Sequence, residues 1–218
     1  MKKFLSNALL IAVSFVTSQA LAQDHQGDAK AGEKKIAMCI GCHGIKGYQA
    51  SFPEVYRVPM ISGQNAKYIA SALSAYRAGE RKHPTMRGIS ASLTDQDIAD
   101  ISAYYAAHSQ AAPAPEKLAE PTGKVAELIT KGACTSCHGV NYSKGIDGSY
   151  PKLAGQNADY LYVALKSYKV ENQASWGRSN GVMGGIAKQF SNAELKELAK
   201  YLAAQPGELQ VVPQSRFR

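Results

Sequence analysis

The sequence predicts an all-α protein built twice over. Three observations carry that expectation: one series of motifs recurs in order along the chain, apolar residues within each copy fall at helical spacing, and neither copy sustains a period-two alternation. Cys39-Ile40-Gly41-Cys42-His43-Gly44 returns as Cys134-Thr135-Ser136-Cys137-His138-Gly139. Pro59-Met60-Ile61-Ser62-Gly63-Gln64-Asn65 returns as Pro151-Lys152-Leu153-Ala154-Gly155-Gln156-Asn157. Tyr68 and Tyr76 match Tyr160 and Tyr168, and Met86-Arg87-Gly88-Ile89 matches Met183-Gly184-Gly185-Ile186. Ile98, Ile101 and Tyr104 match Leu195, Leu198 and Tyr201. The spacing drifts by only a few residues, as small loop insertions would cause, so the pattern is a tandem duplication of a domain.

Each copy reads as three main helices. The first begins at Asp28, a suitable N-cap, and runs to Cys39; its partner covers Lys124 to Cys134. The second runs from Asn65 to Ala78 with Tyr68, Ala72 and Tyr76 on one face, matched by Asn157 to Val170 with Tyr160, Ala164 and Tyr168. The last opens at Thr94-Asp95-Gln96-Asp97 and carries Ile98, Ile101 and Tyr105. Its counterpart opens at Ser191-Asn192-Ala193-Glu194, a capping-box pattern, and carries Leu195, Leu198 and Leu202.

Met1 to Ala22 has a short positive start, an interrupted apolar run and an A-x-A ending, the layout of a cleaved secretory signal. The expected organisation is therefore a signal at 1–22, domain 1 at 23–110, a linker at 111–121, domain 2 at 122–206 and a tail at 207–218. Pro113, Pro115 and Pro121 remove backbone donors and stiffen the linker. Removing Lys2 and Lys3 takes two charges from the formal +8. The remaining balance is only moderately basic, and no Lys/Arg run of nucleic-acid type is present. A mildly basic face suits encounter with an acidic protein partner.

C-x-x-C-H is the attachment signature of c-type haem. Two cysteines three apart can each form a thioether to a porphyrin vinyl group, and the adjoining histidine then supplies an imidazole to the iron. Two such motifs at equivalent places use all four cysteines, Cys39, Cys42, Cys134 and Cys137, and place His43 and His138 as iron ligands. Disulfides would leave both histidines unexplained, a zinc site would lack four ligands in each domain, and a thioredoxin-like pair would need a βαβ setting.

For the opposite face of each iron, Met183 is the second copy's only methionine, in the glycine-rich stretch Asn180 to Gly185, expected to be a loop. Met86 holds the matching place, with Met60, His83 and His108 as competitors. Met60 aligns with Lys152 and reads as packing at a haem edge; His83 has no histidine counterpart; His108 reads as an exposed helix-end side chain. The repeat favours Met86. A soft thioether raises the potential relative to two imidazoles, and filling both axial positions makes an electron carrier rather than an enzyme.

On these motifs the chain resembles the cytochrome c4 family, exported dihaem proteins made of two class I cytochrome c domains, over essentially all of the mature length. The resemblance implies two domains related by a pseudo-twofold axis, with two covalently bound haem c groups. It implies His43 and Met86 as ligands of one iron and His138 and Met183 as ligands of the other, with Pro59 and Pro151 supplying carbonyls to the histidine ring N–H groups. It also implies a periplasmic carrier of single electrons between respiratory-chain redox proteins, from a membrane bc1-type donor to a terminal oxidase or reductase. The dihaem subunit of flavocytochrome c sulfide dehydrogenase is similar, which makes a fixed enzyme subunit the alternative. The loop from Arg77 to His83 is shorter and more basic than Lys169 to Asn180, which holds Trp176, so unequal potentials are expected. Arg81 and Lys82 read as solvated, with pairing to a haem propionate as the alternative.

Overall fold

A computed structural model describes residues 26–171 and 173–213. The proposed signal and Arg216-Phe217-Arg218 lie outside them. In the first half the chain forms α1 (Ala29–Glu33), α2 (Ala37–His43), β1 (Gln49–Ala50), β2 (Tyr56–Arg57), α3 (Ala66–Ala78), β3 (Arg81–Lys82), α4 (Pro84–Ala91) and α5 (Asp95–Ala107). The second half follows with α6 (Gly123–Gly132), α7 (Cys134–His138), α8 (Ala158–Ser167), β4 (Gly177–Arg178), α9 (Gly181–Ala187) and α10 (Asn192–Ala203).

The expected first helix is two helices. Asp28 caps α1 by accepting from the N–H groups of Lys30 and Ala31, but the chain turns after Glu33. That turn brings Lys35 within 2.7 Å of Asp97 and 2.6 Å of Asp100 on α5 and drops Ile36 into the core. Gly32 permits the close crossing, since a Cβ there would stand 2.1 Å from the Asp100 carbonyl oxygen. In the second half the break comes at Ala133, in the left-handed region at φ 46°, between α6 and α7. The helices α5 and α10 begin as expected, with reciprocal capping boxes between Thr94 and Asp97 and between Ser191 and Glu194.

The methionine segments are helical rather than looped. Pro84 occupies the start of α4, and His83 and Asn180 cap α4 and α9. In α9 the Asn180 side-chain cap offsets the poor helix propensity of Gly181, Gly184 and Gly185, and in α4 the preset φ of Pro84 adds to the His83 cap. Each half closes its own core. Ile36, Ile40, Ile69, Leu73, Ile98 and Ile101 form the first, and Leu128, Leu161, Phe190, Leu195, Leu198 and Leu202 belong to the second.

The tyrosine stripes of α3 and α8 do not serve those cores: Ile69 and Leu73, or Leu161 and Leu165, do. The stripes face the seam between halves, which has pseudo-twofold symmetry. The Gln64 amide donates to the Lys152 carbonyl at 3.0 Å and accepts from the Lys152 N–H at 2.9 Å. The Gln156 amide makes the same pair with Met60, at 2.9 and 3.0 Å. Asn65 donates to the Tyr150 carbonyl at 2.8 Å and Asn157 to the Val58 carbonyl at 3.0 Å. The strands β3 and β4 pair antiparallel across the seam, with Arg81 opposite Arg178. The described part of the tail also folds back: Gln210 bridges to Ser62, and Glu208 accepts from Ser109 and pairs with Lys152.

Among the described residues no helix is long and apolar enough to cross a membrane.

Candidate functional site

Each C-x-x-C-H motif lies on a short helix that ends at its histidine, α2 at His43 and α7 at His138. The four cysteines are free and half-buried. Cys39 packs against the first core and Cys134 against the second. Burial pushes the Cys39 thiol up to about 11 and raises Cys134 as well, so both are neutral thiols rather than reactive thiolates.

The histidines are oriented alike. His43 Nδ1 lies 2.9 Å from the Pro59 carbonyl and His138 Nδ1 lies 3.2 Å from the Pro151 carbonyl. A carbonyl can only accept, so Nδ1 carries the proton and Nε2 keeps its lone pair for a metal. Burial lowers the pKa of both rings in spite of these bonds, and the Arg81 charge lowers His43 further. Both are therefore held as neutral imidazoles, the form that ligates.

Met86 and Met183 occupy the same position in their helices. The Met86 N–H donates to His83 Nδ1 at 3.3 Å, and the Met183 N–H donates to Asn180 Oδ1 at 2.9 Å. Both side chains are half-buried, and Met86 packs on the same core as Cys39. His83 is thus the counterpart of Asn180, a helix cap. Its Nε2 lies 3.0 Å from the Tyr56 hydroxyl, so both ring nitrogens are engaged. Since Nδ1 accepts, the proton sits on Nε2.

His108, expected to be exposed, is half-buried: it stacks on Tyr104 at 4.6 Å and its Nδ1 lies 3.2 Å from the Ser62 hydroxyl. Met60 is half-buried and its backbone is tied to Gln156, while Met38 is 51% exposed.

Arg81 is not solvated. It donates to the hydroxyls of Tyr68 at 3.1 Å and Tyr160 at 2.8 Å, and lies over the Tyr76 ring at 4.6 Å. Arg178 reaches Tyr160 at 3.2 Å and Tyr168 at 3.4 Å from the other side. Burial alone would raise the Tyr160 pKa, but the two guanidiniums outweigh it and draw the phenol down to about 7. Sequence reasoning missed this cluster. Its signal is that Arg81 and Arg178 precede Met86 and Met183 by the same interval. Lys82 instead donates to the Gln173 carbonyl at 2.6 Å.

The sequence model of the cytochrome c family matches residues 29–108 and 123–205. The chain belongs to that family. Cytochrome c4 of Stutzerimonas stutzeri is 32% identical over 190 residues, which cover 81% of this chain and 88% of the relative. The thiosulfate dehydrogenase electron acceptor of Stutzerimonas stutzeri strain A1501 is 31% identical over 207 residues, covering 88% and 91%. The crystal structure of reduced recombinant cytochrome c4 from Pseudomonas stutzeri superposes with a TM-score of 0.62 at 27% identity, covering 83% of this chain and all of that one.

As a cytochrome c with two domains, the chain carries two covalently bound haem c groups and serves as an electron carrier. The donor set fits: paired thiols, a neutral imidazole with a free Nε2, and a thioether in each half. Exposed apolar residues flank the motifs as a flat macrocycle requires. Ile45 and Tyr48 follow His43, Val140 and Ile146 follow His138, and Val182 adjoins Met183. Among the described residues no group of three or more His, Cys, Asp or Glu side chains could hold a metal ion instead.

Proposed function

We propose that this cytochrome is a periplasmic shuttle for single electrons, with Cys39 and Cys42 attaching one haem and Cys134 and Cys137 the other. His43 and Met86 would hold the first iron, and His138 and Met183 the second. One observation carries the assignment: each half pairs a carbonyl-anchored histidine with a methionine at the same position of a side-chain-capped helix, while both nitrogens of His83 are already engaged. The haem supplies a one-electron iron couple. The protein supplies the rest: imidazoles fixed in orientation and protonation, and thioethers that favour the ferrous state. With an imidazole and a thioether each supplied by the protein, either iron would be suited to electron transfer rather than to binding substrate. The export signature at 1–22 supports a periplasmic location, and a bc1-type donor with a terminal oxidase or reductase supplies the route.

The relative named as a thiosulfate dehydrogenase electron acceptor favours a second reading, in which the donor is a sulfur-compound dehydrogenase rather than a respiratory complex. A spectroscopic redox titration of the wild type beside Met86→Ala and Met183→Ala tests the ligands. Each variant is expected to lower the potential of its own haem and leave the other step in place. If Met86→Ala moves neither step, the Met86 assignment fails. Reduction rates with a quinol-oxidising membrane fraction, against those with a thiosulfate-oxidising enzyme, separate the two donors.

A further inference from the structure

The chain crosses the seam a second time near its C-terminal end. The repeat gives each half a glycine seat, Gly63 and its counterpart Gly155, whose N–H groups donate to the Tyr105 and Leu202 carbonyls at 2.8 and 3.1 Å. Chain leaving the last helix of each half passes over that seat, Ser109 over Gly63 and Gln205 to Gly207 over Gly155. The tail then goes further than the repeat requires. A Cβ on Gly207 would stand 2.0 Å from the Ala154 carbonyl oxygen, in the second half. A Cβ on Gly63, in the first half, would stand 2.6 Å from the carbonyl oxygen of the next tail residue, Glu208. Neighbouring residues of the tail are thus pressed against opposite halves, and only glycine leaves room for either approach.

Past that crossing the tail closes on the first half and on the linker. Leu209 is buried. The Gln210 N–H donates to the Ser62 carbonyl at 3.0 Å, and Gln210 Oε1 accepts from the Gln110 N–H at 2.9 Å. Glu208 uses both carboxylate oxygens: one accepts from the Ala114 N–H at 3.0 Å, and the other pairs with Lys152 of the second half. Burial would raise the Glu208 pKa, but the Lys152 and Ala114 bonds outweigh it and lower it. Pro113, Pro115 and Pro121 deny the linker a helix or strand of its own, so the N–H groups of Gln110 and Ala114 are satisfied by the tail instead. From the other side Asn141 donates to the Pro115 carbonyl at 2.9 Å.

We infer that residues 207–213 are a clasp that ties the second half back to the first and holds the seam between them closed. The linker joins the halves ahead of α6 and the clasp joins them after α10, so the second half is tethered at both of its ends. A second tether raises the effective concentration of one seam face at the other. Lys152 connects the clasp to the seam directly: its side chain pairs with Glu208 while Gln64 holds its backbone N–H and carbonyl. With a haem in each half, a closed seam keeps the two redox centres in one arrangement.

The test is residue-resolved amide hydrogen exchange of the full holoprotein, with Glu208→Ala/Gln210→Ala and Glu208→Gln beside the wild type. Gln110 and Ala114 lose their acceptors in the double variant, so faster exchange there says nothing about the seam. The amides that decide are those of Met60, Lys152 and Ser179, which bond across the seam to Gln156, Gln64 and Glu80 and not to the tail. The double variant is expected to speed exchange about tenfold at all three, with the amides of α3 and α8 unchanged. A rise confined to Gln110 and Ala114 would make the tail a local packing element and overturn the clasp. So would a rise spread equally through both cores, which marks general loss of stability, or no rise at all. If the double variant does not assemble, Glu208→Gln decides: it keeps an acceptor for Ala114 and loses the charge that faces Lys152. Seam exchange must then still rise for the clasp to stand. The outcome does not depend on which residues hold the irons or which partner supplies electrons.

Discussion

His83 and Asn180 show how one residue position can be read two ways. A histidine three residues before a methionine looks like a rival ligand, yet the ring accepts the Met86 N–H as Asn180 accepts that of Met183. The shared task is to cap a helix whose first turn carries the thioether. His83→Asn should therefore preserve the cap, whereas His83→Ala should remove an acceptor worth about 1 kcal/mol and loosen the first turn of α4. Denaturant unfolding followed at the thioether-to-iron band checks this. A His83→Asn variant that loses the band while His83→Ala keeps it would refute the capping role. The motif cysteines and histidines were legible in the sequence because covalent attachment demands fixed spacing. The role of His83 was not, because spacing does not say which ring nitrogen is free. Arg81 was misread for a related reason: a basic loop looks solvated until its partner on a distant strand is known.

At the scale of elements, the Lys35–Asp97–Asp100 group ties the α1–α2 turn to α5. The Asp100 carboxylate is 2% exposed; one oxygen accepts from the Asp28 N–H at 2.9 Å and from Gln96, the other from Lys35 at 2.6 Å. The Lys35 and Thr94 bonds hold Asp97 down at about 2, against an ordinary 3.8. Burial would raise Asp100, but its bonds to Asp28, Lys35 and Gln96 outweigh that, so it too is lowered. Folded carboxylates with depressed pKa values stabilise above the unfolded value and lose that contribution as pH falls through the folded one. Stability should drop as pH falls below 3.8 and towards about 2. Asp100→Asn should lower stability at neutral pH and flatten that acid dependence, as read from denaturant midpoints across pH. An unchanged acid slope would remove the triad from the account. Capping boxes at Thr94 and Ser191 were legible because both partners are local. The break after Glu33 was not, since what favours it is a residue some sixty-five positions away. Asn65 and Asn157 likewise look like caps but spend their side chains on the opposite half.

At the scale of the molecule, the repeat makes the seam reciprocal in its amides and opposed in its charges. Gln64 and Gln156, 4% and 3% exposed, each saturate a backbone N–H and carbonyl of the other half. The flanking ion pairs exchange sign: Arg57, ahead of Pro59, meets Asp159 on α8, while Asp147, ahead of Pro151, meets Lys67 on α3. Two first halves related by the same axis would set Arg57 against Lys67, and two second halves would set Asp147 against Asp159. Exposed pairs of this kind contribute roughly 0.2–1 kcal/mol, so they select the unlike pairing more than they strengthen it. The buried amides carry the strength. Gln64→Leu and Gln156→Leu each strand a buried N–H and carbonyl, at a cost of about 1–3 kcal/mol per stranded group. Each single variant should still unfold in one calorimetric transition at lower temperature. The double variant removes the acceptors and donors on both sides of the axis, so its halves should melt separately. Persistence of one transition in the double variant would mean that the arginine–tyrosine cluster, the β3–β4 ladder and the tail suffice to couple the halves. Two transitions would place the mechanical coupling of the halves in the two glutamines.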